Sequence, residues 1–338
     1  MKTDTADFPL ISVLGQAGSL LQDWPTRLKP FWQSLQCGVL TGYGDLPLHY
    51  YAHRTPGAHH AIVISSGRME MAVKYAELCY ELVQAGYSVY LLDHRGQGLS
   101  GRELANPDKG YVADFNLYQQ DLDLFIHQIV LPSGHQHYLA LGHSMGCAIL
   151  AGYMQRYTHP FAAAIFASPM FGIYTGLVPA RLAESLAMAF GALNRRLSNT
   201  PWYFPGQTNY REKAFINNPL TSCAERYSWL NLLFREQPQA RLGGVTTHWV
   251  SAAIAAMRSI EQTASQWSVP VLLLQASADK VVSNYAQDLW YQQLPKSLLR
   301  QKVCLPAARH EIFMEQDSIR QQAVRAINVF LASLAANS

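Results

Sequence analysis

Charge is scarce in this chain. Only 14% of its 338 residues are Asp, Glu, Lys or Arg, and 26 basic against 23 acidic residues leave a net charge of +3. The one basic run is Arg195-Arg196, which excludes the dense basic footprint of a nucleic-acid binder. Cysteine is scarce as well. Cys37, Cys79, Cys147, Cys223 and Cys304 are odd in number, scattered and without a C-x-x-C pair, which excludes a disulfide framework and a zinc site. They read as small buried hydrophobes in a reducing compartment. Long apolar runs are missing too, so no membrane span is expected. The opening "MKTDTADFPLISVLGQAGSLLQDW" puts acids ahead of a short, Gly-interrupted apolar run and makes a poor signal peptide. No H-E-x-x-H occurs, and no Lys-Ser/Thr follows "GQGLSG", so neither a metal nor a phosphate-bound cofactor is implied.

What is present is a rhythm. Short apolar runs alternate with longer helical patterns, as in βαβ units around a parallel sheet. Strands are expected at 46–54, 60–67, 87–96, 161–169, 269–277 and 302–308, with another in "HYLALGHS". Helices are expected in "MAVKYAELCYELVQAG", over 116–130, in "MGCAILAGYMQRY" and in the closing "SIRQQAVRAINVFLASL". The interval between the strands ending near Pro169 and starting near Val269 is far longer than a crossover needs. A helical cap inserted over 170–250 accounts for the surplus. Within it, Leu182, Leu186, Phe190, Leu193 and Leu197 recur at helical spacing, and Ser222 with Glu225 makes a capping box. Packing inside the cap is the first reading of that apolar stripe, and contact with a lipid surface the second.

The chemistry centres on "LALGHSMGCAIL", in which Gly142-His143-Ser144-Met145-Gly146 fits G-x-S-x-G. A strand runs into Ser144 and a helix leaves it, so the hydroxyl stands exposed on a sharp turn and the Met145 amide points at an acyl oxygen. A serine hydroxyl needs a base held by an acid. Of the histidines, only His310 lies beyond the last expected strand, in "PAARHEIFMEQD"; His248, in "TTHWV", reads as a packing or pocket residue. The acid is expected after the strand "VLLLQAS", where Asp279 follows in a short loop, while Asp288 falls inside a helix. A second oxyanion amide is expected at Arg68, after Gly67, with the Arg68 side chain a solvated charge. Asp93 and His94 read as turn residues beside Gly96 and Gly98.

These stretches resemble the α/β-hydrolase superfamily, in particular its monoglyceride lipase and lysophospholipase branch. "GRMEMAVKYAEL", "LLDHRGQGLSGR", "GHSMG", "SPMFGI", "GGVTTHWV" and "ARHEIFME" narrow the likeness to the L-two type lysophospholipases of Gram-negative bacteria. The resemblance departs from the wider branch at Ser66-Gly67, where His-Gly is common, and at Cys147, where Gly is common. It implies an eight-stranded α/β-hydrolase fold with a helical cap and a nucleophile, acid and base at Ser144, Asp279 and His310. The oxyanion amides fall on Met145 and Arg68. It further implies hydrolysis of a lysophospholipid or other monoacyl lipid, with no cofactor, in the cytoplasm or on the cytoplasmic face of the inner membrane. A monoacylglycerol lipase or broad carboxylesterase would use the same residues. A hydrolase-like binding protein without catalysis is the rival from another class.

Overall fold

The computed structural model describes residues 8–336. Eight strands form one sheet: β1 (Gln36–Thr41), β2 (Pro47–His53), β3 (His60–Ser65), β4 (Ser88–Leu92), β5 (His137–His143), β6 (Phe161–Ala167), β7 (Val271–Ala276) and β8 (Arg300–Leu305). Their spatial order is β1-β2-β4-β3-β5-β6-β7-β8. The first two are antiparallel additions, and every pairing from β4 to β8 is parallel. Seven strands fall where the apolar runs predict them. The eighth, β1, carries no readable pattern because it is an edge strand in which only Leu40 is buried.

Among the described residues, ten α-helices accompany the sheet: α1 (Leu20–Asp23), α2 (Lys29–Ser34), α3 (Ala76–Gln84), α4 (Asn116–Phe125), α5 (Met145–Arg156), α6 (Ala180–Leu197), α7 (Ala224–Glu236), α8 (Thr247–Thr263), α9 (Asn284–Gln293) and α10 (Asp317–Ala336). The central strands are buried on both faces, so they read as continuous apolar runs rather than alternations. Ile62, Leu139, Ile165 and Leu272 face a core shared with α3, α7 and α10. Val63, Ala140, Phe166 and Leu273 face the opposite core, shared with α4, α5, α8 and α9. Each large apolar side chain so buried contributes about 1.5–3 kcal/mol. The sites of interest gather where β3, β5, β7 and β8 end, the crevice that a parallel sheet offers at its carboxyl edge.

Between β6 and β7 lie α6, α7 and α8. α6 rests on α8 through Ala187, Gly191 and Asn194, and a Cβ on Gly191 would stand 2.3 Å from Ser251 Oγ. That close fit uses the small face of α6 and turns its leucines outward. Leu182, Leu186, Leu193 and Leu197 are 46–64% exposed, contrary to the expected internal packing. Phe190 alone of the stripe is half-buried, against Trp202 and Phe204. α7 behaves differently. Trp229 packs on Trp24, and Arg226 pairs with Glu77 of α3 and with Asp317 of α10. The capping box expected at its start does not form: Cys223 is the N-cap residue, and Ser222 bonds Glu315 instead. The cysteines divide as well. Cys79, Cys147 and Cys223 are buried, but Cys37 and Cys304 are exposed because they sit on the two edge strands. Among the described residues, no helix is long and apolar enough to cross a membrane.

Candidate active site

Ser144 joins β5 to α5 with φ 53° and ψ −116°, a conformation costly for any residue with a Cβ. The surroundings hold it there. Ser144 N donates to Ala167 O at 3.0 Å, and its carbonyl accepts from Met170 N at 3.0 Å. The flanking glycines make the turn physically accessible. A Cβ on Gly146 would lie 2.0 Å from the Ser65 carbonyl oxygen, and one on Gly142 would lie 2.9 Å from Cys147 backbone. Helix α5 therefore presses directly on the end of β3, which brings the loop after β3 beside Ser144.

The three side chains expected to act together meet in one hydrogen-bonded chain. His310 Nε2 lies 2.8 Å from Ser144 Oγ, and His310 Nδ1 lies 2.8 Å from Asp279 Oδ2. All three residues are buried. Asp279 Oδ1 accepts from Val281 N at 2.7 Å and Val282 N at 3.1 Å, so the carboxylate is fixed by its own loop. With Nδ1–H donating to Asp279, Nε2 is left as an acceptor for the serine hydroxyl. Asp288 is held elsewhere, by Gln275 and Lys302. His248 touches Thr247 and Tyr111 and does not join the chain.

The expected oxyanion amides stand out by their freedom. Gly67 N donates to Glu70 Oε2 at 2.8 Å and Met69 N donates to Gln97 Oε1 at 2.7 Å. The Arg68 amide between them bonds to no acceptor among the described residues, and Met145 opens α5, where the first N–H groups lack helical partners. The Arg68 side chain is not the solvated charge expected. It is half-buried, donates to Gly243 O at 3.0 Å and lies 5.7 Å from the Trp249 ring centre. Asp93 and His94 do not pair. Asp93 caps Ala72 N and Leu99 N while burial pushes it up to about 6, and His94 bonds Ser65 Oγ while burial pushes it down to about 4.

One group escaped the sequence reading. Glu70, Lys74, His143 and Glu311 form a sealed ionic cluster behind the Ser144–His310 pair. His143 Nδ1 lies 2.7 Å from Glu70 Oε1 and its Nε2 lies 3.1 Å from the His310 carbonyl oxygen. Burial alone would lower the His143 pKa, but Glu311 and Glu70 outweigh it and hold the ring above its ordinary value. Burial alone would raise Glu70, but Lys74 and His143 hold its carboxyl well below the usual range. Ligand atoms of Glu70, His143 and Glu311 lie within 4.8 Å of one another, as around a metal ion, yet Lys74 already pairs with both glutamates and supplies the cation. Residues so far apart in sequence gave no local signal.

A mostly parallel eight-stranded sheet with this serine elbow at its carboxyl edge defines a class of protein. The chain belongs to the α/β-hydrolases, in the family described as serine aminopeptidase, S33, which it matches over residues 56–317. It is 34% identical over 322 residues to lysophospholipase L2 of Escherichia coli, covering 90% of this chain and 93% of that one. Probable lysophospholipase L2 of Haemophilus influenzae is 30% identical over 307 residues, covering 90% and 95%. In fold it is similar to a soluble variant of monoglyceride lipase from Saccharomyces cerevisiae, solved with a substrate analog. That match has a TM-score of 0.68 and 16% identity, over 89% of this chain and 96% of the other.

Proposed function

We propose that this protein is a lysophospholipase that cleaves the acyl ester through an acyl-enzyme on Ser144. The observation that carries the reading is the chain Ser144 Oγ–His310–Asp279, with 2.8 Å at both links, on a strained turn beside two unengaged amides. His310 Nε2 takes the hydroxyl proton as Oγ attacks the carbonyl carbon. The Met145 and Arg68 amides bind the oxyanion, a term worth about 2.7–4 kcal/mol per donor. Collapse breaks the acyl C–O bond, and the departing glycerol oxygen receives the proton from His310. Water then attacks the acyl-enzyme, giving its proton to His310, and the free fatty acid leaves as Ser144 regains its hydrogen. Asp279 holds the ring tautomer and stabilises the imidazolium throughout.

The insertion over 170–250 serves as a cap above this site. Its exposed stripe of Leu182, Leu186, Leu193 and Leu197, with Arg181, Arg195 and Arg196 also exposed, suits contact with an anionic lipid surface. Purified protein given lysophosphatidylcholine and a monoacylglycerol of the same chain tests the substrate. Preference for the monoacylglycerol would make the protein a monoacylglycerol lipase instead. Fluorophosphonate labelling that persists in Ser144→Ala would reject the nucleophile. Vesicle binding is expected to survive Ser144→Ala and to weaken when the four leucines become Ser; unchanged binding would reject the lipid contact.

A further inference from the structure

Among the described residues, the fully buried lysines and arginines are all matched by acids, unlike the half-buried Arg68. Lys74 pairs with Glu70 and Glu311, Arg95 with Asp121 and Glu103, Arg226 with Glu77 and Asp317, and Arg320 with Glu77 and Glu81. Arg68 differs. Its guanidinium donates to the Gly243 carbonyl and touches the Met69 sulfur, and no carboxylate pairs with it among the described residues. Burial pushes its pKa down to about 10, with only Tyr118 opposing, so the half-buried group is partly desolvated but remains a cation at neutral pH. A desolvated charge without a counter-ion is costly to keep. Arg102, Arg241 and Arg300 are also held by carbonyls, but Arg102 feels Asp93 and Asp108, and Arg68 differs from the other two in standing on the loop beside Ser144.

The group is also held still. It lies over Trp249, whose indole N–H donates to Tyr118 OH at 3.2 Å. The Gly243 carbonyl that anchors it belongs to a segment clamped by Gly243 N to Asp108 O at 2.8 Å and Gly110 N to Gly244 O at 2.9 Å. These bonds leave the Nε–H and further terminal hydrogens of Arg68 without acceptors among the described residues. A guanidinium fork with spare donors on a fixed aromatic platform is built for a tetrahedral oxyanion. Its backbone ties it to the reacting end of the site. The Arg68 amide faces the acyl oxygen in the proposed reaction. The bonds separating that nitrogen from the guanidinium carbon equal in number those separating ester carbonyl carbon from phosphorus in a 1-acyl lysophospholipid.

We infer that the Arg68 guanidinium is the phosphodiester subsite, so that one residue reads the lipid twice, by its amide at the acyl oxygen and by its side chain at the head group. This rests on the lysophospholipase reading and deepens it. The site takes a phosphate monoanion, whether borne by a glycerophospho head group or by inorganic phosphate.

The test compares wild type, Arg68→Met and Arg68→Lys on lysophosphatidylcholine and on a monoacylglycerol with the same acyl chain. Arg68→Met is expected to reduce kcat/KM for the lysophospholipid at least tenfold more than for the monoacylglycerol, chiefly through KM, and Arg68→Lys to recover part of the loss. Equal losses on both substrates would mean that Arg68 acts only through the loop, and would overturn the subsite. A separate arm follows hydrolysis of a neutral short-chain ester in the presence of glycerophosphocholine or inorganic phosphate. Glycerophosphocholine is expected to inhibit wild type competitively and Arg68→Met much less. Inhibition by phosphate alone would assign the site to a free anion, and inhibition by neither would overturn it. If wild type spares lysophospholipid yet glycerophosphocholine inhibits through Arg68, the substrate assignment fails while the anion site stands.

Discussion

Replacing His143 by Gln tests the ionic cluster behind the Ser144–His310 pair. The protonated ring uses both N–H groups, one on Glu70 and one on the His310 carbonyl. Gln is neutral and cannot span both acceptors, so at least one charge-assisted bond is lost, at about 1.5–3 kcal/mol. At an unfolding entropy of ~2.1 cal/mol/K per residue, a loss of about 2 kcal/mol lowers Tm by about 3 °C in a chain of this length. The pH dependence gives the sharper readout. His143 has its folded pKa raised above the unfolded value, so its contribution is complete below the unfolded pKa and is lost as pH rises through the folded one. Lys74 is held above its ordinary value by Glu311 and Glu70 against the opposing effect of burial, and so keeps its charge over that range. Wild-type Tm, followed by circular dichroism from pH 6 to 9, is therefore expected to fall towards alkaline pH more steeply than that of His143→Gln. Because the same ring anchors the backbone of His310, kcat is expected to fall about tenfold with little change in KM. Parallel Tm curves would show that the ring carries no charge-dependent bond here, and an unchanged kcat that it does not position His310.

Gly146→Ala sets a methyl against the Ser65 carbonyl, which is backbone and cannot step aside. A loss of about 1–3 kcal/mol and of nearly all esterase activity is expected, and a fully active variant would contradict the tight elbow. Asp279→Asn keeps the side chain's size but offers His310 a donor where it needs an acceptor. Roughly a 10³–10⁴-fold fall in kcat is expected, with Tm nearly unchanged, and a loss under tenfold would remove Asp279 from the reaction. Arg226→Met removes one of the two arginines that hold Glu77, leaving Arg320, and costs about 1.5–3 kcal/mol by urea denaturation, while activity below the transition stays within twofold. A loss of activity without loss of stability would place Arg226 in the site.

The chain's local patterns carried the central strands and the order Ser144, Asp279, His310, because both-face burial and a strand-to-helix turn leave marks within a few residues. β1 left none, since an edge strand that buries one leucine needs no apolar run. The outward leucines of α6 read as packing because helical spacing shows that a stripe exists but not which side of it is covered. Here small residues, Ala187 and Gly191, won the interface with α8. The Glu70–Lys74–His143–Glu311 cluster was illegible for another reason. Only the meeting of the loops after β3 and β8 around β5 makes those charges neighbours.

The two ends of the described chain are stitched together. Ile11 N donates to Asn328 Oδ1, Ala17 N to Asp317, and Leu14 N to Glu81, which also holds Arg320. Synthesis delivers these partners in sequence, first to last. Until α10 has left the ribosome, Glu81 lacks its arginine and the N-terminal segment lacks its far anchor. α10 also packs on β7 and β8, so that flank of the sheet stays uncovered until the helix is made. Final closure waits for the last helix, because the contacts that pin the N-terminal segment are among the longest in sequence separation.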